Sequence, residues 1–172
     1  MKKYELTTNV KTVLGRKLFQ IKALISFGCI EAGELGGWIE KEANLSQSGD
    51  AWVSGDAWVS GNARVSGDAW VSGDAWVSGN ARVSGNAWVS GDADHLVIGP
   101  IGSRKGYTTF YRRNDGVTMV VCGCFHDTID AFEEQVVRTH GVNEHAKAYQ
   151  AAVQFVKAVI NTDPVEGVSS DE

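Results

Sequence analysis

Hydrophobic residues recur at every sixth position between residues 51 and 92, where one six-residue phrase is repeated seven times without a gap. Each phrase contains Ala, then Trp or Arg, then Val, Ser, Gly and finally Asp or Asn. A flexible linker rich in Gly, Ser and Asp has a similar composition, but it gives no reason for Val at every sixth position. An internal period of this quality is typical of a solenoid, in which each repeat adds a short strand to a continuous core.

The residue type at each position of the phrase predicts where that position lies. We expect Val and Ala to point inward and the position of Trp or Arg to point outward from a flat face. The pair of Gly with Asp or Asn is expected to turn a corner, because these residues tolerate positive φ better than the others. The phrase resembles the hexapeptide signature of left-handed parallel β-helices, in which three hexads complete one triangular coil. The resemblance implies a mainly β fold with about three coils.

The outward residues follow a second period of eighteen residues, which is one full coil of such a helix. The order Trp, Trp, Arg occurs twice, so equivalent side chains should stack in columns on rungs about 4.8 Å apart, the spacing of paired strands. The predicted columns are Trp52, Trp70 and Trp88; Trp58, Trp76 and Asp94; and Arg64 and Arg82. The same period places Asp56, Asp74 and Asp92 on one edge, and Asn62 and Asn80 on another.

The pattern continues backwards from the repeats with one irregularity. Ile39, Leu45 and Val53 extend the apolar ladder, but at steps of six and then eight residues. The two extra residues predict a bulge at one corner, within residues 46–50.

Residues 1–37 are predicted to form an N-terminal β cap. Residues 17–24 alternate in hydrophobicity next to a turn at Gly15, and residues 29–37 are rich in glycine. The first rung of a solenoid leaves unpaired backbone groups that would template aggregation, and a cap of this kind covers them.

The segment that follows the repeats is predicted to be a separate α+β module over residues 99–160. Residues 96–98 provide a last solenoid strand, and Gly99-Pro100 ends the regular pattern, so the β-helix spans residues 38–98. Residues 161–172 carry four acidic residues and are predicted to be a disordered acidic tail.

A β-hairpin is predicted at the start of this module. Residues 107–113 and 117–122 have strand character and flank Asn114-Asp115-Gly116. A two-residue Asp-Gly loop and a three-residue loop with Gly in the left-handed conformation both fit this sequence. In either case Arg112 and Arg113 point to opposite sides of the strand.

Two helices should follow the hairpin. Asp127 or Thr128 can cap the first helix, which Gly141 ends, and Asn143 can cap the second. The apolar stripe of the first consists of Ile129, Phe132, Val136 and Val137. The stripe of the second consists of Ala146, Tyr149, Ala152, Val153, Val156, Val159 and Ile160.

Charge and cysteine content exclude some classes of protein. The net charge of −5 argues against bulk binding of nucleic acid. The three cysteines, Cys29, Cys122 and Cys124, are not a secreted disulfide framework. Neither a membrane span nor a signal peptide is visible in the sequence, so we expect a cytoplasmic protein.

Several short stretches are similar to known proteins. GGWIE at residues 36–40 and NLS at 44–46, running into the Ala-Trp-Val repeats, resemble a family of uncharacterised hexapeptide-repeat proteins from bacteriophage and prophage genomes. IGPIGSR at 98–104, TTF at 108–110 and CGCF at 122–125 resemble a C-terminal module of such phage proteins. The resemblance implies the β-helix fold, and a protein of the host cytoplasm if it is phage-encoded. Small phage-encoded binding proteins often disarm host immunity, some by sequestering nucleotide signals, and this analogy suggests a counter-defence role.

Enzymatic chemistry is the least favoured interpretation. Many left-handed β-helix proteins are acyltransferases, which resemble one another in a catalytic His near the coils and a loop inserted at a corner. Residues 51–92 contain neither, and the first His in the chain is His95. We therefore expect no enzymatic activity and no cofactor.

Zinc binding is possible at Cys122, Cys124, His126 and His140, because a Cys-x-Cys on a strand puts both sulfurs on one face. Buried Cys also behaves as a small apolar residue, and a strand facing two helices is where such residues lie. We favour a structural core here and expect no metal site.

The tryptophan columns suggest self-association, because contiguous exposed apolar patches usually mark contact surfaces. We expect a homotrimer whose interface contains Trp52, Trp58, Trp70, Trp76, Trp88, Arg64 and Arg82. The alternative is a platform on which Trp and Arg stack nucleobases.

The leading hypothesis for function is a non-enzymatic, homo-oligomeric binding protein that sequesters a small anionic ligand of the nucleotide type. Cationic and aromatic residues of the C-terminal module would neutralise phosphates and stack a base. The candidate ligand-binding residues are Ser103, Arg104, Lys105, Tyr111, Arg112 and Arg113. The alternative is an interaction module that inhibits a host protein or belongs to a virion.

Overall fold

The computed structural model describes residues 1–91, 94–160 and 162. The chain forms two compact units, Met1–Asp92 and Ala93–Glu172. The predicted disordered tail lies outside the described residues except for Thr162, and so does Asp92 of the predicted acidic edge.

Three strands precede the repeats: β1 (Tyr4–Val13), β2 (Arg16–Ala23) and β3 (Leu35–Ile39). β2 pairs antiparallel with both β1 and β3, and a short 3-10 helix, Glu42–Asn44, follows. β3 pairs in parallel with the second repeat strand, where Trp38 lies opposite Trp58. The N-terminal strands therefore extend one sheet of the repeat region.

Each repeat contributes one strand of two residues, and all seven pair in parallel with the strand eighteen residues away. The strands are β4 (Trp52–Val53), β5 (Trp58–Val59), β6 (Arg64–Val65), β7 (Trp70–Val71), β8 (Trp76–Val77), β9 (Arg82–Val83) and β10 (Trp88–Val89). The registers Trp52–Trp70–Trp88, Trp58–Trp76 and Arg64–Arg82 confirm the predicted columns. The seven valines and the seven alanines that precede them are at most 1% exposed, so they form the core as predicted.

The eighth outward position does not continue its column. The described pairs of the second column end at Trp76. Asp94 instead belongs to the C-terminal unit, where it is 4% exposed and pairs with Arg112. The prediction extended the eighteen-residue period one outward position too far, because the last complete six-residue phrase ends before Asp94.

The corners have the predicted backbone conformation. The first six repeat glycines, from Gly55 to Gly85, have φ between 62° and 69°. At one edge Asn62 Nδ2 donates to Asn80 Oδ1 at 3.3 Å, which joins equivalent residues of consecutive rungs. Gly91, the seventh, lies outside the positive-φ region.

The predicted bulge is confirmed by a change of register. Leu45 lies opposite Val65, twenty residues away, whereas Trp52 lies opposite Trp70, eighteen residues away. The two extra residues therefore fall between Leu45 and Trp52. Within the bulge, Gln47 Oε1 accepts from the backbone N–H groups of Lys3 at 2.8 Å and Tyr4 at 3.3 Å. The bulge thus binds the start of β1.

Lys3 completes this attachment by covering the first rung. It is 2% exposed, and its Nζ donates to the carbonyl oxygens of Gly49 at 3.0 Å and Ala51 at 2.8 Å. Burial lowers the pKa of Lys3 to about 8, although nearby Asp50 and Asp68 oppose the shift. Nothing in the sequence pattern distinguished this lysine from its exposed neighbour Lys2.

The stability of the protein should therefore rise with pH between about pH 8 and pH 10. Over this range the Lys3 amine is neutral in the folded chain and still protonated in the unfolded chain, so the unfolded state binds more protons. The free energy of unfolding should increase by up to about 2 kcal/mol. Above about pH 10 Tyr4 opposes this gain, because burial raises the pKa of its hydroxyl. The folded chain then keeps a proton that the unfolded chain releases, which lowers the free energy of unfolding as the pH rises.

Urea denaturation at a series of pH values checks this. Lys3→Met should remove the rise, and Lys2→Met, at an exposed lysine, should leave it unchanged. An identical slope in Lys3→Met and the unmodified protein would assign the rise to other groups.

The C-terminal unit is an antiparallel sheet covered by two helices. Its strands are β11 (His95–Ile101), β12 (Gly106–Arg112), β13 (Thr118–Cys122) and β14 (Phe125–Thr128), in that spatial order. β11 pairs with β12, so residues 96–98 are not a last solenoid strand. The regular pairing is interrupted at Gly99-Pro100, between Ile98 and Ile101, but the strand itself continues to Ile101.

The predicted hairpin forms, and it has the three-residue loop. Arg113 N–H donates to Val117 O at 2.9 Å, which leaves Asn114, Asp115 and Gly116 outside the ladder. Gly116 has φ of 85°. This choice between the two loops follows from the pairing of Arg112 with Thr118 in the strands on either side.

The two helices are α1 (Ile129–His140) and α2 (Glu144–Val159). Thr128 and Asn143 cap them as predicted, accepting from Ala131 N–H at 3.3 Å and Ala146 N–H at 3.0 Å. Most of the predicted stripe residues lie in the core with Phe110 and Val120. Val137 and Val159 were wrongly placed there, since they are 54% and 43% exposed.

Candidate functional site

Two of the five predicted interface tryptophans are buried within the protomer. Trp52 is fully buried, with the rings of Tyr4 and Phe27 against it at centroid distances of 6.4 Å and 5.4 Å. Trp58 is 8% exposed, since β3 adds Trp38 to its column on one side and Trp76 stacks on the other. The N-terminal strands cover both side chains, so neither has surface to offer a second copy.

The other three tryptophans remain partly exposed. Trp76 stacks on Trp58 at 4.6 Å with an interplanar angle of 11°, and it is 37% exposed. Trp70 and Trp88 stack at 5.9 Å with an angle of 13°, and both are half-buried. A neighbouring indole covers one face of each ring. The remaining accessible surface of the three side chains is apolar and ordered, as in contact surfaces.

The arginine column is exposed as predicted. Arg64 and Arg82 lie in register on neighbouring rungs, and both side chains are accessible. Two like charges directly opposite each other on paired strands destabilise the pair modestly. The two arginines therefore lie next to each other on one face of the repeat region.

The structure does not bring the predicted ligand-binding residues together. Arg112 is 5% exposed, and its Nη2 lies 3.2 Å from Asp94 Oδ2. Its charge is therefore compensated by a carboxylate of the same unit. Tyr111 is 1% exposed, with its hydroxyl 2.7 Å from His126 Nε2, and it cannot stack a ligand. Both were expected to be accessible, but they lie on opposite faces of β12 and both faces are buried at these positions.

Arg113 also has a charged partner in the folded chain, Asp115. Its Nε donates to Asp115 Oδ1 at 2.9 Å, and the hydrogen bond from Arg113 lowers the pKa of the Asp115 carboxyl. The pair lies within one hairpin loop, so this arginine serves the loop.

Ser103, Arg104 and Lys105 are exposed in the turn between β11 and β12. Arg113 follows the opposite end of β12, whose seven residues span about 20 Å at 3.3 Å per residue. Arg104 and Lys105 are therefore too far from Arg113 for one small ligand to contact both ends of β12 within a protomer. The accessible aromatic residue near the turn is Tyr107, which is 46% exposed and was not among the predicted residues.

The cysteine and histidine residues do not form a metal centre in the described part of the chain, where no group of three or more possible ligands lies together. Cys122 Sγ accepts from Thr108 Oγ1 at 3.2 Å and lies 3.8 Å from the Tyr149 hydroxyl. Burial and Cys122 raise the pKa of Tyr149 to about 12. Cys124 is exposed in the turn after β13, so the two sulfurs do not share a strand face.

Comparison with protein families agrees with the strand pairing. A family model described as the YdcK beta solenoid repeat matches two adjacent stretches, residues 57–73 and 75–91. The chain is a β-solenoid repeat protein. The first stretch contains the strands β5 to β7 and the second contains β8 to β10. Together they include the three partly exposed tryptophans and both arginines.

A search of curated proteins finds no match to this chain. Neither helix in the described part of the solenoid protein is both long and apolar enough to span a bilayer.

Proposed function

We propose that this β-solenoid protein is a non-enzymatic binding protein that assembles into a homotrimer through its repeat region. The observation that carries the proposal is the set of indole stacks: Trp70, Trp76 and Trp88 keep accessible surface in the folded protomer. Ordered, partly exposed aromatic side chains on flat strands are characteristic of contact surfaces, and Trp is enriched at such interfaces.

We further infer that the repeats wind as a left-handed helix of three coils. The hexapeptide phrase supports the handedness, by its resemblance to left-handed helices. The columns Trp38–Trp58–Trp76 and Trp52–Trp70–Trp88 each count three rungs. A crystal structure would determine the handedness of the coil directly.

The mass in solution tests the proposed assembly. Light scattering on the purified chain should give the mass of three chains, with dissociation only on dilution. The mass of a single chain at every concentration would contradict the proposal, and the exposed indoles would then need a different partner.

A second candidate function is sequestration of a small anionic, nucleotide-type ligand in the cytoplasm of a phage-infected host. The exposed turn holding Arg104 and Lys105, with Tyr107 two residues later, favours it. In an oligomer, turns from several copies could supply the charges that one protomer keeps apart. Nucleotides should then raise the melting temperature, and Arg104→Glu/Lys105→Glu should abolish the shift; no shift with any nucleotide would contradict this function.

A further inference from the structure

The turn between the first two strands has a backbone conformation that its first residue disfavours. β1 and β2 are joined by Leu14 and Gly15, which have φ of 49° and 77°. Two central residues with positive φ are typical of a type I′ turn, where Asn, Asp and Gly are the usual residues. A leucine is strained there, and Leu14 gains no burial in return, because it is 74% exposed. An exposed side chain in a costly backbone conformation indicates a role outside the fold.

This turn lies at the end of an arm that extends beyond the neighbouring strand. The last pair between β2 and β3 joins Phe19 to Ile39, where β3 ends. Gly15 is four residues from Phe19, which corresponds to about 13 Å of strand. Residues 14–17 are all exposed. We call residues 10–19 the hairpin arm, whose apex is the turn.

The hairpin arm belongs to a strongly cationic part of the chain. Residues 1–24 contain six Lys or Arg residues and one acidic residue, a net charge of +5, whereas the whole chain carries −5. Lys11 and Lys17 lie over aromatic rings, with Nζ 4.5 Å and 5.1 Å from the ring centres. Arg16 pairs with Glu40 at 3.0 Å, which ties the arm to the end of β3. The arm therefore combines an apolar apex with cations behind it.

We propose that the hairpin arm docks on an anionic membrane surface, with Leu14 inserted below the lipid head groups and Lys11 and Lys17 among them. Lys17 lies opposite Thr12, in the second pair behind the turn, and so about 7 Å behind the apex. Segments that bind membrane interfaces bury their apolar side chains about 5–10 Å into the boundary between head groups and acyl chains. The spacing therefore places the ammonium groups at the level of anionic head groups, which attract them.

A lipid surface fits the arm better than a protein surface does. A stable protein contact buries about 800 Å² on each partner, and a narrow turn with one large exposed apolar side chain offers far less. A lipid layer can surround such an apex without a preformed pocket. The inference does not depend on the proposed homotrimer, although several arms on one particle would raise the apparent affinity for a vesicle.

Cosedimentation of the full chain with lipid vesicles tests the proposal. We expect binding to vesicles of equal parts phosphatidylcholine and phosphatidylglycerol, and little binding to phosphatidylcholine alone. Leu14→Asn and Lys17→Glu should each lower the partition coefficient about tenfold. Leu14→Asn should keep or raise the melting temperature, because Asn tolerates the left-handed conformation better than Leu, so a loss of binding cannot come from unfolding.

Two matched controls change the same residue types elsewhere. Leu24→Asn replaces an exposed leucine at the other end of the hairpin, and Lys147→Glu reverses an exposed cation of the second helix. Both variants should bind the mixed vesicles as the unmodified protein does.

Three results would overturn the proposal. Failure of the unmodified protein to bind the mixed vesicles would exclude membrane docking. Binding that survives Leu14→Asn but not Lys17→Glu would be adsorption by charge alone, without insertion of the apex. If the protein ignores vesicles but binds polyglutamate through Lys17, the hairpin arm contacts an acidic protein instead. None of these results bears on the mass of the assembly in solution, which tests the homotrimer separately.

Discussion

Trp52→Ala should lower the free energy of unfolding by about 3–5 kcal/mol, the range for truncating a large aromatic residue in a core. Trp52 is fully buried, with the rings of Tyr4 and Phe27 packed edge-on against it. The loss comes from the buried apolar area and from the cavity left behind, since the stacked rungs cannot close around the gap.

Trp76 is the matched control, because it occupies the same position of the same six-residue phrase. It is 37% exposed and is stacked by one face on Trp58. Trp76→Ala should therefore cost only about 1–2 kcal/mol. Urea denaturation at low protein concentration, followed by circular dichroism, measures both values. Equal losses would mean that the N-terminal strands do not cover the first rung in solution.

The contrast between these two tryptophans shows where sequence reasoning on this chain ends. A repeat fixes which side chains point inward and which stack, because each unit repeats the same backbone conformation. It says nothing about which outward positions the rest of the chain covers. The N-terminal strands contain no repeat, and their attachment depends on long-range contacts such as those of Gln47 and Lys3, which no local pattern predicts.

The C-terminal unit illustrates a different limit. Its hairpin, caps and helices were predictable, because turn residues and apolar stripes act locally. The proposed ligand residues were grouped by their proximity in sequence and by their charge. Alternation along β12 sends Tyr111 and Arg112 to opposite faces, and both faces are covered at these positions, so charge and aromaticity alone gave the wrong accessibility.

The second large expected effect is the loss of stability on replacing a glycine at a corner of the repeats. Gly67→Ala should destabilise the protein by about 3 kcal/mol, from two sources. The residue has φ of 69°, where an alanine is strained by about 1–2 kcal/mol. A Cβ there would also lie 2.8 Å from the backbone nitrogen of Gly85 and 3.2 Å from its Cα, and neither atom can move without shifting the next rung.

Gly79→Ala separates these two contributions. Gly79 has nearly the same φ, 65°, but a Cβ there has no atom within 4 Å. Its loss should be the conformational strain alone, and the difference between the two variants measures how tightly consecutive corners stack. Gly61→Ala, with contacts of 3.3 Å to Gly79, should fall between them. Because all three glycines hold the same position in the phrase, equal losses in urea denaturation would show that the coils are free to separate at the corners, and that strand pairing along the faces sets the distance between rungs.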